Sequence, residues 1–201
     1  MITTYEKALR CASAIITSGS FAVTGPATRI YFMSHVSQNT LALANLISIG
    51  LADIVSGLLS KDGAVVPLRR KYFATFLAVD AITYGVISYL GLYVDVSYRF
   101  IGMAIAEALF TSVTFIIMRD ALNLVLSGSK LTAYQNHLGM LDSLTGFTAL
   151  SVFMLVDIEM SIEFALEFQF VALCISAVTE SLFIASINRR EKAGLEEEEE
   201  S

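Results

Sequence analysis

The sequence predicts an all-α fold: a polytopic membrane bundle of six transmembrane helices. Three observations predict it. The 201 residues are 55% hydrophobic and only 16% charged, with mean hydropathy +0.67, against about 45–50% apolar and about 25% charged in water-soluble domains. Six stretches each hold the roughly 20 mostly apolar residues that a spanning helix needs. Finally, the basic residues gather on alternate connections between those stretches.

The first stretch, 11–34, follows Lys7 and Arg10 and continues through Ile30-Tyr31-Phe32-Met33, too long for a cleavable secretion signal. Gly25-Pro26 inside it should kink or loosen the helix, because proline lacks the N–H of the helical ladder. The break at Ser34 to Asn39 leads to the second stretch, 39–60. The longest break runs from Lys61-Asp62-Gly63 to Arg69-Arg70-Lys71 and precedes the third, 72–94. Val94-Asp95-Val96-Ser97 precedes the fourth, 98–119, and Ser127-Gly128-Ser129-Lys130 the fifth, 132–156. The acidic segment from Asp157 to Glu163 precedes the sixth, 164–187. Runs of this length exclude a barrel, whose strands are short and alternate apolar with polar. Residues 1–190 form the membrane domain and 191–201 an acidic cytoplasmic tail, with glutamate at 196 to 200.

Positive residues favour the cytoplasmic side of a membrane. With the N-terminus inside, Lys7, Arg10, Lys61, Arg69, Arg70, Lys71, Arg119, Lys130, Arg189, Arg190 and Lys192 are all cytoplasmic. Only Arg29 and Arg99 fall outside, so both termini are placed in the cytoplasm. The formal charge of −6 owes five acids to the tail run, and the rest of the chain is nearly balanced. No basic field for nucleic acid remains. Cys11 and Cys174 are far apart in apolar stretches, which is no disulfide framework.

An ionisable group near the bilayer centre costs at least about 2.5–3.5 kcal/mol and marks a functional candidate. At about 1.5 Å rise per residue, Asp80 and Glu107 lie roughly 12 Å deep and Asp142 roughly 15 Å deep. Residues three and four apart share a helix face. Asp142 thus shares its face with Gly139 and Gly146, Asp80 with Thr83 and Tyr84, and Glu107 with Ala104, Thr111 and Thr114. These small or polar faces turn toward protein or water; a packing role alone rarely needs three such acids. Arg29 is either a counter-charge or a snorkelling residue at the outer headgroups. Tyr84 is deep enough to line a pocket, whereas Tyr72, Tyr93 and Tyr98 read as interfacial. The candidate substrate- and proton-binding residues are therefore Asp142, Glu107, Asp80, Arg29 and Tyr84. Asp53 and Glu180 lie nearer the cytoplasmic ends of their stretches.

Enzyme chemistry finds little footing. The two histidines, His35 and His137, sit near helix ends, and neither a zinc-hydrolase pair, a nucleophile elbow nor a phosphate loop occurs. Asp62-Gly63 and Asp80 fall on the spacing of CDP-alcohol transferases, but Leu59, Val66, Pro67, Phe76 and Tyr84 occupy that pattern's other positions. No cofactor and no metal site are expected.

Gly57-Leu58-Leu59, Asp62-Gly63 and Arg69-Arg70-Lys71 in the longest loop resemble the G-x-L-a-D-x-x-G-R-R pattern of the major facilitator superfamily. The aspartate is one place late and the basic pair is displaced by several residues. Arg99 with Gly102 is similar to that family's R-x-x-x-G, one residue short, and Lys130 to His137 leading into Gly139 and Gly146 resembles the start of its fifth span. The resemblance is to the amino-terminal six-span half and covers almost the whole chain. It implies two inverted three-span repeats, a secondary transporter of a small solute or ion, and a parallel homodimer supplying both halves in the bilayer. The spacings Arg10 to Arg29 and Arg99 to Arg119 are nearly equal, as a repeat would have. Two other readings stand beside it. One is a substrate-binding membrane subunit of an energy-coupling transporter, for which Ala74 and Ala78 offer a small-residue face. The other is a non-transporting regulatory or immunity-type membrane protein.

Overall fold

The computed structural model describes residues 2–60, 73–90, 95–156 and 161–199. Among these, every regular element is a helix: α1 Thr4–His35, α2 Gln38–Ser60, α3 Phe73–Leu90, α4 Val96–Val125, α5 Gly128–Val156 and α6 Ile162–Glu199. The predicted break from Lys61 to Lys71 lies outside the described residues, as do the first four residues of the break from Asp157 to Glu163, and Tyr72 and Tyr93.

Local chemistry sets the ends. Thr3 caps α1 through a reciprocal box: its hydroxyl accepts from the Glu6 N–H at 3.2 Å, and the Glu6 carboxylate accepts from the Thr3 N–H at 2.8 Å. Val36 turns extended and ends α1. Ser37 then accepts from Thr40 N–H to start α2, Asp95 from Ser97 N–H to start α4, and Ser161 from Phe164 N–H to start α6. Gly128 opens α5 at φ +53°, a left-handed conformation that side chains disfavour. Pro26 does not end α1, which runs unbroken past it. Around it, hydroxyls bond back to the helix: Thr24 to the Ser20 carbonyl, and Thr28 to the carbonyls of Thr24 and Gly25. The tail likewise departs from a separate segment, since α6 continues through Glu199.

The packing order is α2, α4, α3, α6, α1, α5, each packing closely on the next, with lighter contacts of α4 with α1 and with α6. Exchanging α1 with α4, α2 with α5 and α3 with α6 maps four of the close pairings onto one another and the fifth, α3 with α6, onto itself. The connectors obey the same exchange: two residues, Val36-Ser37, join α1 to α2, and two, Leu126-Ser127, join α4 to α5. Directions alternate. Arg10 meets Glu180 while Thr17 meets Ser176, so α1 and α6 are antiparallel. Ser18 meets Asp142 and Ala22 approaches Gly146, so α1 and α5 are parallel. Phe32 packs on Phe100, so α4 starts where α1 finishes.

The apolar core lies at one end, where Ile2, Leu77, Ile117, Met118, Leu122, Phe183, Ile184 and Ile187 cluster. Elsewhere apolar stripes face outward, although some apolar residues, Phe32 and Leu166 among them, are buried. Phe164, Phe168, Val171, Ile175, Val178 and Leu182 form an exposed stripe along α6 at intervals of three and four. On α5, Met140, Leu144, Phe147 and Leu155 are exposed, the last at 85%. Meanwhile Ser13, Ser20, Thr24, Gln169 and Ser176 are buried. Burying one large apolar side chain is worth about 1.5–3 kcal/mol in water; a chain that leaves whole stripes outside and hides its hydroxyls suits a solvent of acyl chains. Among the described residues, two helices, Gly128–Leu155 and Ile162–Glu191, are long and apolar enough to cross a membrane by length and composition.

Candidate functional site

Every third or fourth residue along the inner face of α1 is polar: Glu6, Arg10, Ser13, Thr17, Ser20, Thr24. That spacing puts them in one row, and the row faces α6. At the core end, Glu6 is fully buried at 0% exposure, receiving Ser186 Oγ at 2.9 Å and Arg190 Nη2 at 2.7 Å. Burial pushes its carboxyl up, but the Thr3 N–H, the hydroxyls of Ser186 and Thr3, and the Arg190 charge together hold it below its ordinary value.

One turn further, Arg10 Nη1 pairs with Glu180 Oε1 at 2.7 Å, and Ser13 Oγ donates to the same oxygen at 2.8 Å. Thr17 Oγ1 donates to Ser176 Oγ at 3.1 Å, and Ser176 and Ser13 share a 2.8 Å bond. Because Ser13 gives its hydrogen to Glu180, Ser176 is the donor to Ser13. The result is a directional chain, Thr17 to Ser176 to Ser13 to Glu180, ending on a carboxylate clasped by Arg10.

This seam borders a partly open cavity of about 860 Å³ between the helices, within the size range of small-molecule sites. Arg10, Thr17, Ser176 and Glu180 line it toward the core end, joined there by Arg119 and Gln135. Gln169, Thr114, Asn45 and Ser48 add polar groups from α6, α4 and α2, while Thr28, Arg29, Phe32 and Met33 line it along the far part of α1. Arg10 and Arg29 are 19 positions apart, so the lining extends about 28 Å along α1.

Of the predicted site residues, Arg29 lines the cavity. Asp142 does not: it sits at the α1–α5 contact, half-buried, and accepts from Ser18 Oγ at 2.8 Å. Asp80 and Tyr84 fall on α3 and Glu107 on α4, with side chains outside those described. Sequence reasoning left Arg10 among the loop charges and Glu180 at a helix end. The signal that would have found them is the polar row on α1.

Compared with known protein families, curated proteins and solved structures, the chain matches none.

Proposed function

We propose that the chain is a six-span integral membrane protein with both termini cytoplasmic, and that it serves as a secondary transporter of a small solute, two copies forming the working unit. The observation that carries this reading is a cavity with a largely apolar lining that also holds four charged groups and borders a hydroxyl chain, in a bundle with apolar stripes on its outer faces. The cavity is lined by both of the packed sets that exchange under the pairing pattern, α2-α4-α3 and α5-α1-α6, and in this reading one set rocks against the other to open alternate ends. No catalytic role is proposed, and the lipid bilayer is the chain's partner along its apolar stripes.

Protons are the coupling ion of this reading. Asp142, Asp80 and Glu107 remain its candidate carriers, and Glu180 joins them because it borders the cavity at the end of the hydroxyl chain. Ala74 and Ala78 are both exposed on α3, and that flat strip favours a second reading, a solute-binding subunit docked on an energising module. Reconstitution separates the two. Purified protein in sealed vesicles should take up solute when a pH gradient alone is imposed, and cysteines at Ser37 and Ser127 should react with impermeant reagent from opposite faces. Solute binding without flux, restored only by an ATPase partner, would favour the second reading.

A further inference from the structure

We propose that the solute carries an anionic group, a carboxylate or a phosphate, collected by Arg29 at one end of the cavity and Arg119 at the other, and that inside the cavity it displaces Glu180 from Arg10. The inference rests on reading the cavity as the solute site.

Three observations lead to it. Among the described lining residues, three guanidinium groups, Arg10, Arg29 and Arg119, face a single carboxylate, Glu180. Arg29 and Arg119 are both exposed and make no hydrogen bond or ion pair among the described residues. Arg10 is only partly satisfied: Nη1 is held by Glu180, while its Nε is buried without an acceptor. A buried N–H left unpaired is costly, and a planar guanidinium is suited to two-point capture of carboxylate or phosphate.

Position strengthens the argument. Arg29 stands 19 residues after Arg10 on α1, and Arg119 stands 20 after Arg99 on α4. α1 and α4 exchange under the pairing pattern and run in opposite directions, so Arg29 and Arg119 are counterparts at opposite ends of one cavity. Arg10 and Arg99 are the other counterpart pair, and both are withdrawn from solvent. One unpartnered arginine at each end is what a solute needs if it enters from one face and leaves by the other. In the present state Glu180 occupies Arg10 as an internal anion, with Ser13 holding its shared oxygen. An arriving carboxylate or phosphate would take over that guanidinium edge and free Glu180.

The test uses the full chain in phosphatidylcholine nanodiscs, with thermal unfolding followed against succinate, glycerol phosphate, choline and glucose at constant ionic strength. Succinate or glycerol phosphate should raise Tm saturably, and choline and glucose should not. Arg29→Gln and Arg119→Gln should each weaken the anion by about tenfold, while Glu180→Gln, which removes the competing charge, should tighten it by a similar factor. Should Glu180→Gln fail to fold, the two arginine variants decide alone. Stabilisation by choline or glucose only, or anion stabilisation unchanged in both arginine variants, overturns the proposal. If adding phosphatidylglycerol to the disc stabilises the protein through Arg29 and Arg119 while soluble anions do not, the arginines serve a lipid headgroup and the solute proposal falls. Arginine-dependent anion binding without flux in vesicles would uphold this inference and refute transport. Flux of cations or neutral solutes alone would do the reverse.

Discussion

Ser18 on α1 gives its hydroxyl hydrogen to Asp142 Oδ1 on α5 at 2.8 Å, joining two parallel helices 124 positions apart in the chain. Gly19 and Gly146 flank the same contact: a Cβ at Gly19 would lie 3.6 Å from Thr145 Cγ2, and one at Gly146 3.9 Å from Ala22 Cβ. The glycine face read from the sequence around Asp142 is therefore turned partly to α1. Asp142→Asn keeps an oxygen for Ser18 and the side chain's shape. It should change stability by less than about 1 kcal/mol while abolishing uptake driven by a pH gradient. Ser18→Ala should cost about 0.5–1.5 kcal/mol and leave gradient-driven uptake in place. Uptake and its pH dependence unaltered in Asp142→Asn would make this acid a packing residue.

Glu6 gives a pH dependence whose sign is fixed. Its folded carboxyl titrates below the ordinary value of 4.5, burial notwithstanding. The stability it contributes is therefore complete above that ordinary value and is lost as pH falls through the lower folded one. Thermal unfolding between about pH 7 and pH 3 should show Tm falling at the acid end. Glu6→Gln should lower Tm near neutral pH, a loss of about 1–3 kcal/mol from a buried site with three donors, and should flatten the acid limb. An acid limb of equal steepness in both proteins would assign it to other carboxylates.

Gly85 on α3 is where close approach excludes a side chain. A Cβ there would sit 2.7 Å from Phe170 Cε2 and 3.1 Å from two further ring atoms. Gly85→Ala should destabilise by about 1–3 kcal/mol through overpacking, and Phe170→Leu in the same protein should recover most of the loss. A double-mutant cycle on thermal stability checks this, with additive effects counting against the contact.

Helix positions were the most legible part of the sequence. Long apolar stretches declare themselves as helices by length, and the turns carry their own signals in Ser37, Asp95 and Gly128. Of the six stretches expected to span, two helices among the described residues, Gly128–Leu155 and Ile162–Glu191, are long and apolar enough to cross a membrane. Helices overrun the predicted stretches at Thr4 to Arg10 and beyond Ile187, where polar residues continue the helix, and at Asp120 to Val125, where Ala121 and Leu122 join the buried core. The interior was less legible. Depth and neighbours draw attention to isolated acids such as Asp142, but a partner 170 positions away, as Glu180 is from Arg10, leaves no local trace. The row Glu6, Arg10, Ser13, Thr17, Ser20, Thr24 was in plain view as a period of three and four. Its meaning depended on knowing that it faces α6, which periodicity cannot supply.

The last prediction concerns the second copy. Among the described residues, α2 packs closely only on α4, and α5 only on α1, whereas the other four helices have more neighbours. Their uncovered faces are not uniformly apolar. Asp53 on α2 is exposed, and so are His137, Gly139 and Ser143 on α5. An aspartate facing acyl chains costs at least about 2.5–3.5 kcal/mol at depth, so these faces need cover other than lipid. Measured from the core end of the bundle, Asp53 lies about 10 Å up α2 and His137 about 14 Å up α5. In the proposed homodimer, a two-fold axis along the membrane normal would set α2 of one copy against α5 of the other and bring Asp53 and His137 of the partner subunit to similar height. In a chain freed of Cys11 and Cys174, cysteines replacing both Asp53 and His137 should therefore link two copies in membranes under oxidation or with a short bis-maleimide. The two single variants should link less or not at all, and Asp53→Asn in the unlinked protein should weaken the dimer on dilution in detergent. A protein that stays monomeric in membranes, with no linked product from either reagent, would leave one six-helix bundle as the whole unit.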